Sequence, residues 1–108
     1  MEIDEMAEIV AKWAASQPMV TRAYLYGSRV HGTLQDDSDL DIAIEIQPLP
    51  GDSSAFATWI SEASALRRSL APLLPMSADL EWYGGADATP TIERGLVAGS
   101  RLVYERAA

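Results

Sequence analysis

The chain has 108 residues, which suits one domain spanning 1–108 and leaves no room for a second. Its 16 Asp and Glu against 8 Lys and Arg give a formal charge of −8, with Lys12 the sole lysine and no basic run, so direct nucleic-acid binding is not expected. The absence of cysteine excludes disulfides and thiolate metal sites. Lacking a basic leader or an apolar run of about 18 residues, the chain reads as cytoplasmic with no membrane association.

Ile3, Met6, Ala7, Ile9, Val10, Trp13 and Ala14 follow helical spacing, with Glu2, Asp4, Glu5 and Glu8 toward the positive end of the helix dipole. Ser16-Gln17-Pro18 stops this helix, and Val20 to Tyr26 reads as a strand rich in β-formers that ends at Gly27. The segment 27–38 is polar and turn-rich. Asp39 to Ile46 alternates without a break, Leu40, Ile42, Ile44 and Ile46 on one face and Asp39, Asp41, Ala43 and Glu45 on the other, which predicts a second strand.

Pro48, Pro50 and Gly51 break the alternation. A helix over 54–70 follows, with Phe56, Trp59, Ile60, Ala63, Leu66 and Leu70 as its expected buried stripe. Ser77 to Tyr83 alternates again as a third strand, with Ala78, Leu80 and Trp82 on its apolar side; Trp59 and Trp82 both read as packing residues. Thr89-Pro90 resembles an N-cap followed by proline at the first helical position, and Ile92, Leu96 and Val97 give a short helix closed near Gly99. Leu102 to Tyr104 fits a fourth strand or a docked tail. The expected fold class is α/β (α+β), a small mixed β-sheet of three to four strands with helices packed mainly on one face.

The chemistry concentrates where the second strand begins. Asp39 and Asp41 point the same way, about 6–7 Å apart by the rise of a strand, and their repulsion calls for a compensating divalent cation. A third acid on the next strand, Asp79 or Glu81, completes a hard-oxygen set suited to Mg²⁺. An acid-x-acid pair at a strand start is equally a solvated turn, and Asp36-Asp37-Ser38 are ordinary turn formers. Gly27-Ser28 directly after the first strand favours the metal reading, because a glycine turn and a serine hydroxyl with exposed amides can hold a phosphate. A P-loop is excluded by Thr33 and Leu34 at the Lys and Ser/Thr positions, and an EF-hand loop by Ile42 and Pro48 at its glycine and glutamate positions.

The stretch GSRVHGTLQDDSDLDIAI resembles the signature of the minimal nucleotidyltransferases, a branch of the DNA polymerase β-like superfamily: Gly-Ser, ten residues, then Asp-x-Asp in an apolar strand. The opening helix, the acid-bearing strand ADLEW and the ending ERGLVAGSRLVYER extend that resemblance along nearly the whole chain. It implies that Gly27 and Ser28 grip the triphosphate of ATP, that Asp39 and Asp41 hold two Mg²⁺ ions, and that Asp79 is the third carboxylate. Arg29 is a phosphate contact or a solvated loop residue. His31 stands where relatives often carry arginine and reads as structural.

Minimal nucleotidyltransferases typically accompany a HEPN-domain toxin and silence it by adding AMP to a tyrosine. The resemblance therefore implies a protein adenylyltransferase acting as the antitoxin of a toxin–antitoxin pair. The alternative is a non-catalytic subunit that neutralises its partner by contact.

Overall fold

The computed structural model describes residues 2–27, 30 and 39–107. Its elements are helix α1 (Ile3–Ala15), strands β1 (Val20–Tyr26) and β2 (Leu40–Ile46), helix α2 (Ala55–Leu70) running into a 3₁₀ turn (Ala71–Leu73), strand β3 (Ala78–Trp82), helix α3 (Pro90–Ala98) and strand β4 (Ser100–Glu105). The strands form one mixed sheet in the order β3-β2-β1-β4, with β2 and β3 parallel and the other two pairs antiparallel. The terminal segment is thus a strand, and it gives β1 its second neighbour.

The alternation in β2 sets the two faces. Leu40, Ile42 and Ile44 are fully buried and join Ala23 and Leu25 of β1, Leu80 of β3, Met6, Val10, Trp13 and Ala14 of α1, and Trp59, Leu66 and Leu70 of α2 in one core. Both long helices cover this face. Trp13 Nε1 donates to Ser69 Oγ at 2.8 Å, latching α1 to α2 through the one polar atom that a buried tryptophan must satisfy. At the start of α2, Ser54 accepts from the Ala57 amide at 3.1 Å and caps the helix.

The expected stripe of α2 is corrected at two positions. Phe56 is 53% exposed and Ile60 65% exposed, whereas Thr58, Trp59, Leu66 and Leu70 are buried. At 3.6 residues per turn, Phe56 and Ile60 sit about 80° and 120° around the helix from the middle of that buried line, so they turn away from the centre of the core. Thr58 takes the inward place. Its hydroxyl accepts from the Leu49 amide at 3.0 Å and donates to Asp52 Oδ2 at 2.6 Å, which ties the Pro48–Asp52 loop to the helix. Phe56 instead meets Trp82, ring centroids 5.4 Å apart, and Trp82 is only half-buried.

The short helix α3 lies on the opposite face of the sheet. Thr89 does not cap it through its side chain; Thr89 Oγ1 accepts from the Gly84 amide and donates to the Gly85 carbonyl, both at 3.0 Å, closing the loop before the helix. Gly95 of α3 approaches Tyr26 so closely that a Cβ there would stand 3.0 Å from the ring carbons Cδ2 and Cε2. Glu93 accepts a hydrogen bond from the Tyr83 hydroxyl, and Tyr83 meets Tyr24 edge-on with centroids 6.2 Å apart. Ala43, which pairs with Tyr24 and is expected on a polar face, is fully buried.

Candidate nucleotide and metal site

The register of the sheet arranges the outer face in rows. Tyr26 of β1 pairs with Asp41 of β2, and Asp41 pairs with Asp79 of β3, so three side chains from three strands share the first row. Asp39, two residues before Asp41, is exposed on the same face. One row further along stand Tyr24, Ala43 and Glu81, and then Arg22 and Glu45. The site therefore lies where β1 ends and where β2 and β3 begin.

Gly27 follows Tyr26 with φ +80, a left-handed conformation that a side chain disfavours. A Cβ at this position would also collide with Asp41 Oδ2. Two independent reasons thus require glycine here, and the second sets the turn's backbone against a candidate catalytic carboxylate. Of the residues expected around it, Ser28, Arg29 and His31 lie outside the described residues.

The electrostatics of the row are unbalanced. Burial, then Asp79, then Asp39 push the Asp41 carboxyl above its ordinary value. The Glu81 carboxyl is also raised, first by burial and then by hydrogen bonding to Asp79, with Arg67 at 3.5 Å pulling the other way. Among the described residues no Lys or Arg pairs with Asp39, Asp41 or Asp79. Nor, among these residues, do any three His, Cys, Asp or Glu side chains close on a common point as in a preformed metal cage. What fits a divalent ion is the donor chemistry: hard, anionic oxygens whose mutual repulsion a cation relieves.

Tyr26 escaped the sequence reading. Its phenol is pushed up to about 12 by burial first, then by Asp41, Asp79 and Glu81, and so keeps its proton facing the acids. The alternation Arg22, Tyr24, Tyr26 along β1 carried the signal, since it places the tyrosines on the face opposite Ala23 and Leu25. Tyr83, directly after β3, is engaged with Glu93 and Tyr24.

No helix among the described residues is long and apolar enough to cross a membrane. No curated protein matches this sequence. Solved structures that share the fold include two of toxin–antitoxin pairs. A toxin–antitoxin crystal structure with AMP-PNP is 22% identical, with a TM-score of 0.63, and the match covers 93% of this chain and 73% of that one. A crystal structure of a mutant of the toxin–antitoxin pair MntA-HpeT is 19% identical, with a TM-score of 0.61, covering 98% of this chain and 75% of that one. The family model "Polymerase beta, Nucleotidyltransferase" matches residues 8–108, a span that contains Gly27, Asp39, Asp41 and Asp79, and the chain belongs to that family of nucleotidyltransferases.

Proposed function

We propose that this domain, residues 1–108, is an Mg²⁺-dependent adenylyltransferase that moves AMP from ATP to the tyrosine hydroxyl of a partner HEPN toxin, and so acts as an antitoxin in the cytoplasm. The observation that carries the reading is the row Tyr26–Asp41–Asp79 with the Gly27 turn pressed against Asp41, a glycine turn set beside uncompensated carboxylates. The shared fold of two toxin–antitoxin structures, one with a bound ATP analogue, supports the partner class and the nucleotide.

In this reading the Gly27 turn, with Ser28 and Arg29, holds the triphosphate, and Asp39, Asp41 and Asp79 would hold up to two Mg²⁺ ions. Bound there, the ions would neutralise the phosphates and acidify the acceptor hydroxyl. The acceptor oxygen attacks the α-phosphorus, the bond to the pyrophosphate oxygen breaks, and the released proton passes to Asp79 or, through it, to Glu81. Tyr26, protonated and set close beneath Gly95, stands beside Asp41 in the row.

The test incubates the chain and a candidate HEPN-domain partner with α-labelled ATP and Mg²⁺, followed by intact-mass analysis of both. A partner gaining one AMP, with the gain abolished by Asp39→Asn/Asp41→Asn, is the expected result. A partner that binds and is silenced equally by wild type and the double variant, without label, would establish neutralisation by contact.

A further inference from the structure

The two edges of the sheet are finished differently. At the β3 edge, Arg67 of α2 lies over the Trp59 ring at 5.1 Å and donates to the Leu80 carbonyl from Nε at 3.2 Å and from Nη2 at 3.0 Å. A backbone acceptor that an incoming strand would need is already in use, a common way to blunt an edge. At the β4 edge no described element pairs with the outer side of the strand. The charged side chains on β4 do not guard it either, because each is drawn inward: Arg101 Nη1 to Asp4 Oδ1 at 2.6 Å, and Glu105 to Arg22 Nε at 2.6 Å.

The surroundings of this edge differ on its two faces. On the α1 side a groove of about 430 Å³ runs between helix and strand, with Asp4, Glu5 and Glu8 against the single cation Arg101. On the outer face Leu102, which pairs with Tyr24 and also reaches the rim of the groove, is 48% exposed, and Val97 of α3 is 76% exposed. A strand added to β4 sends alternate side chains to these two faces. We propose that the β4 edge docks an extended segment of a protein partner in which cationic and apolar side chains alternate, the cations entering the α1 groove and the apolar residues covering Leu102 and Val97. Charge selects this occupant over a second copy of the chain. Pairing β4 with β4 would bring together two bodies of charge −8 with their acidic grooves flanking one seam.

This surface does not depend on nucleotide chemistry, so its test omits ATP and metal. The probe is a short end-blocked peptide of alternating Lys and Val, mixed at millimolar concentration with the full chain and followed by amide hydrogen exchange. Slowed exchange confined to residues 100–105 is expected, with affinity falling about tenfold between low and high salt because the attraction is between screened surface charges. Glu5→Lys/Glu8→Lys, which changes two exposed helix positions, and Leu102→Lys should each weaken binding severalfold while the circular dichroism spectrum stays unchanged. Asp41→Asn should leave binding intact, which separates this result from any result on AMP transfer. Protection that is absent, lies elsewhere, or is matched by an alternating Glu and Val peptide overturns the proposal. So does protection of β4 that grows with protein concentration alone and coincides with a dimer in sedimentation.

Discussion

Asp41 on β2 and Asp79 on β3 are direct partners across a parallel strand pair, two carboxylates side by side with no described cation between them. Such a pair opposes folding whenever both groups are ionised. Because the Asp41 carboxyl is raised above its ordinary 3.8, the folded chain keeps this proton over a pH range where the unfolded chain has released it. The contribution to stability is therefore greatest below the ordinary value and declines as pH rises through the raised one. Asp41→Asn removes the repulsion. Allowing for solvent screening of a half-exposed group, a rise in Tm of about 2–4 °C at neutral pH is expected, together with a flatter dependence of Tm on pH above 4 and complete loss of AMP transfer. A thermal melt series across pH checks it, and a variant that melts below wild type at neutral pH contradicts it.

Magnesium should invert that order. Millimolar Mg²⁺ with a non-hydrolysable ATP analogue is expected to raise the Tm of wild type by several degrees through binding linkage, and to leave Asp39→Asn/Asp41→Asn unmoved. Calorimetric titration with the same ligands gives an independent reading.

Gly27→Ala tests the turn. The side chain meets a φ of +80 and the Asp41 carboxylate together, so a loss of about 2 kcal/mol in denaturant melts is expected. Transfer should fall by more than about a hundredfold, since Asp41 must move to make room and misplaced catalytic groups cost rate steeply. Activity near wild type would mean that the turn relaxes and does not position the phosphate.

The tyrosines on the outer face supply an alkaline signature. Tyr24 donates to Glu45 Oε2 at 2.5 Å, and its phenol is pushed up to about 12 by burial first and then by Glu45; Tyr26 also reaches about 12. Both values lie above the unfolded 10, so the stability they contribute is fully present below pH 10 and is lost as pH rises toward 12. Titration of phenolate absorbance should show two groups ionising near that limit with unfolding close behind. Tyr24→Phe removes one of them and costs about 1 kcal/mol at neutral pH through the lost hydrogen bond.

The α2 correction carries its own check. Ile60→Ser should change stability by no more than about 0.5 kcal/mol, while Leu66→Ala, inside the core, should cost about 2–5 kcal/mol. Urea melts on both variants distinguish the observed face from the stripe expected from the sequence.

These residues also mark what the sequence could reveal. β2 was legible because strict alternation over Asp39 to Ile46 has one physical meaning, and it carried Asp39 and Asp41 with it to a single face. Gly27 was legible because glycine directly after a strand signals a special turn. The α2 stripe was not: Phe56 and Ile60 have the same hydropathy as core residues, and only the docking angle of the helix decides which flank of a wide stripe is covered. The choice between Asp79 and Glu81 was open because both share a strand face, and the β2–β3 register places Asp79 opposite Asp41 and Glu81 opposite Ala43. Tyr26 was hidden because its role comes from Gly95, far along the chain, and pairing between distant segments leaves no local mark.

The position of β1 between β2 and β4 ties an early strand of the chain to its last one. Arg22 and Glu105, which close that pairing, are 83 residues apart, so the loop to be ordered spans most of the polypeptide and its closure is entropically slow. While the nascent chain is still on the ribosome, α1, β1 and β2 can gather, but Tyr26 has neither the Gly95 backbone above it nor β4 beside it. Tyr26 acquires its full surroundings only with the arrival of the last strand. A chain nicked or stalled before that point would retain Asp39, Asp41 and Asp79 and still lack the α3 and β4 neighbours of Tyr26.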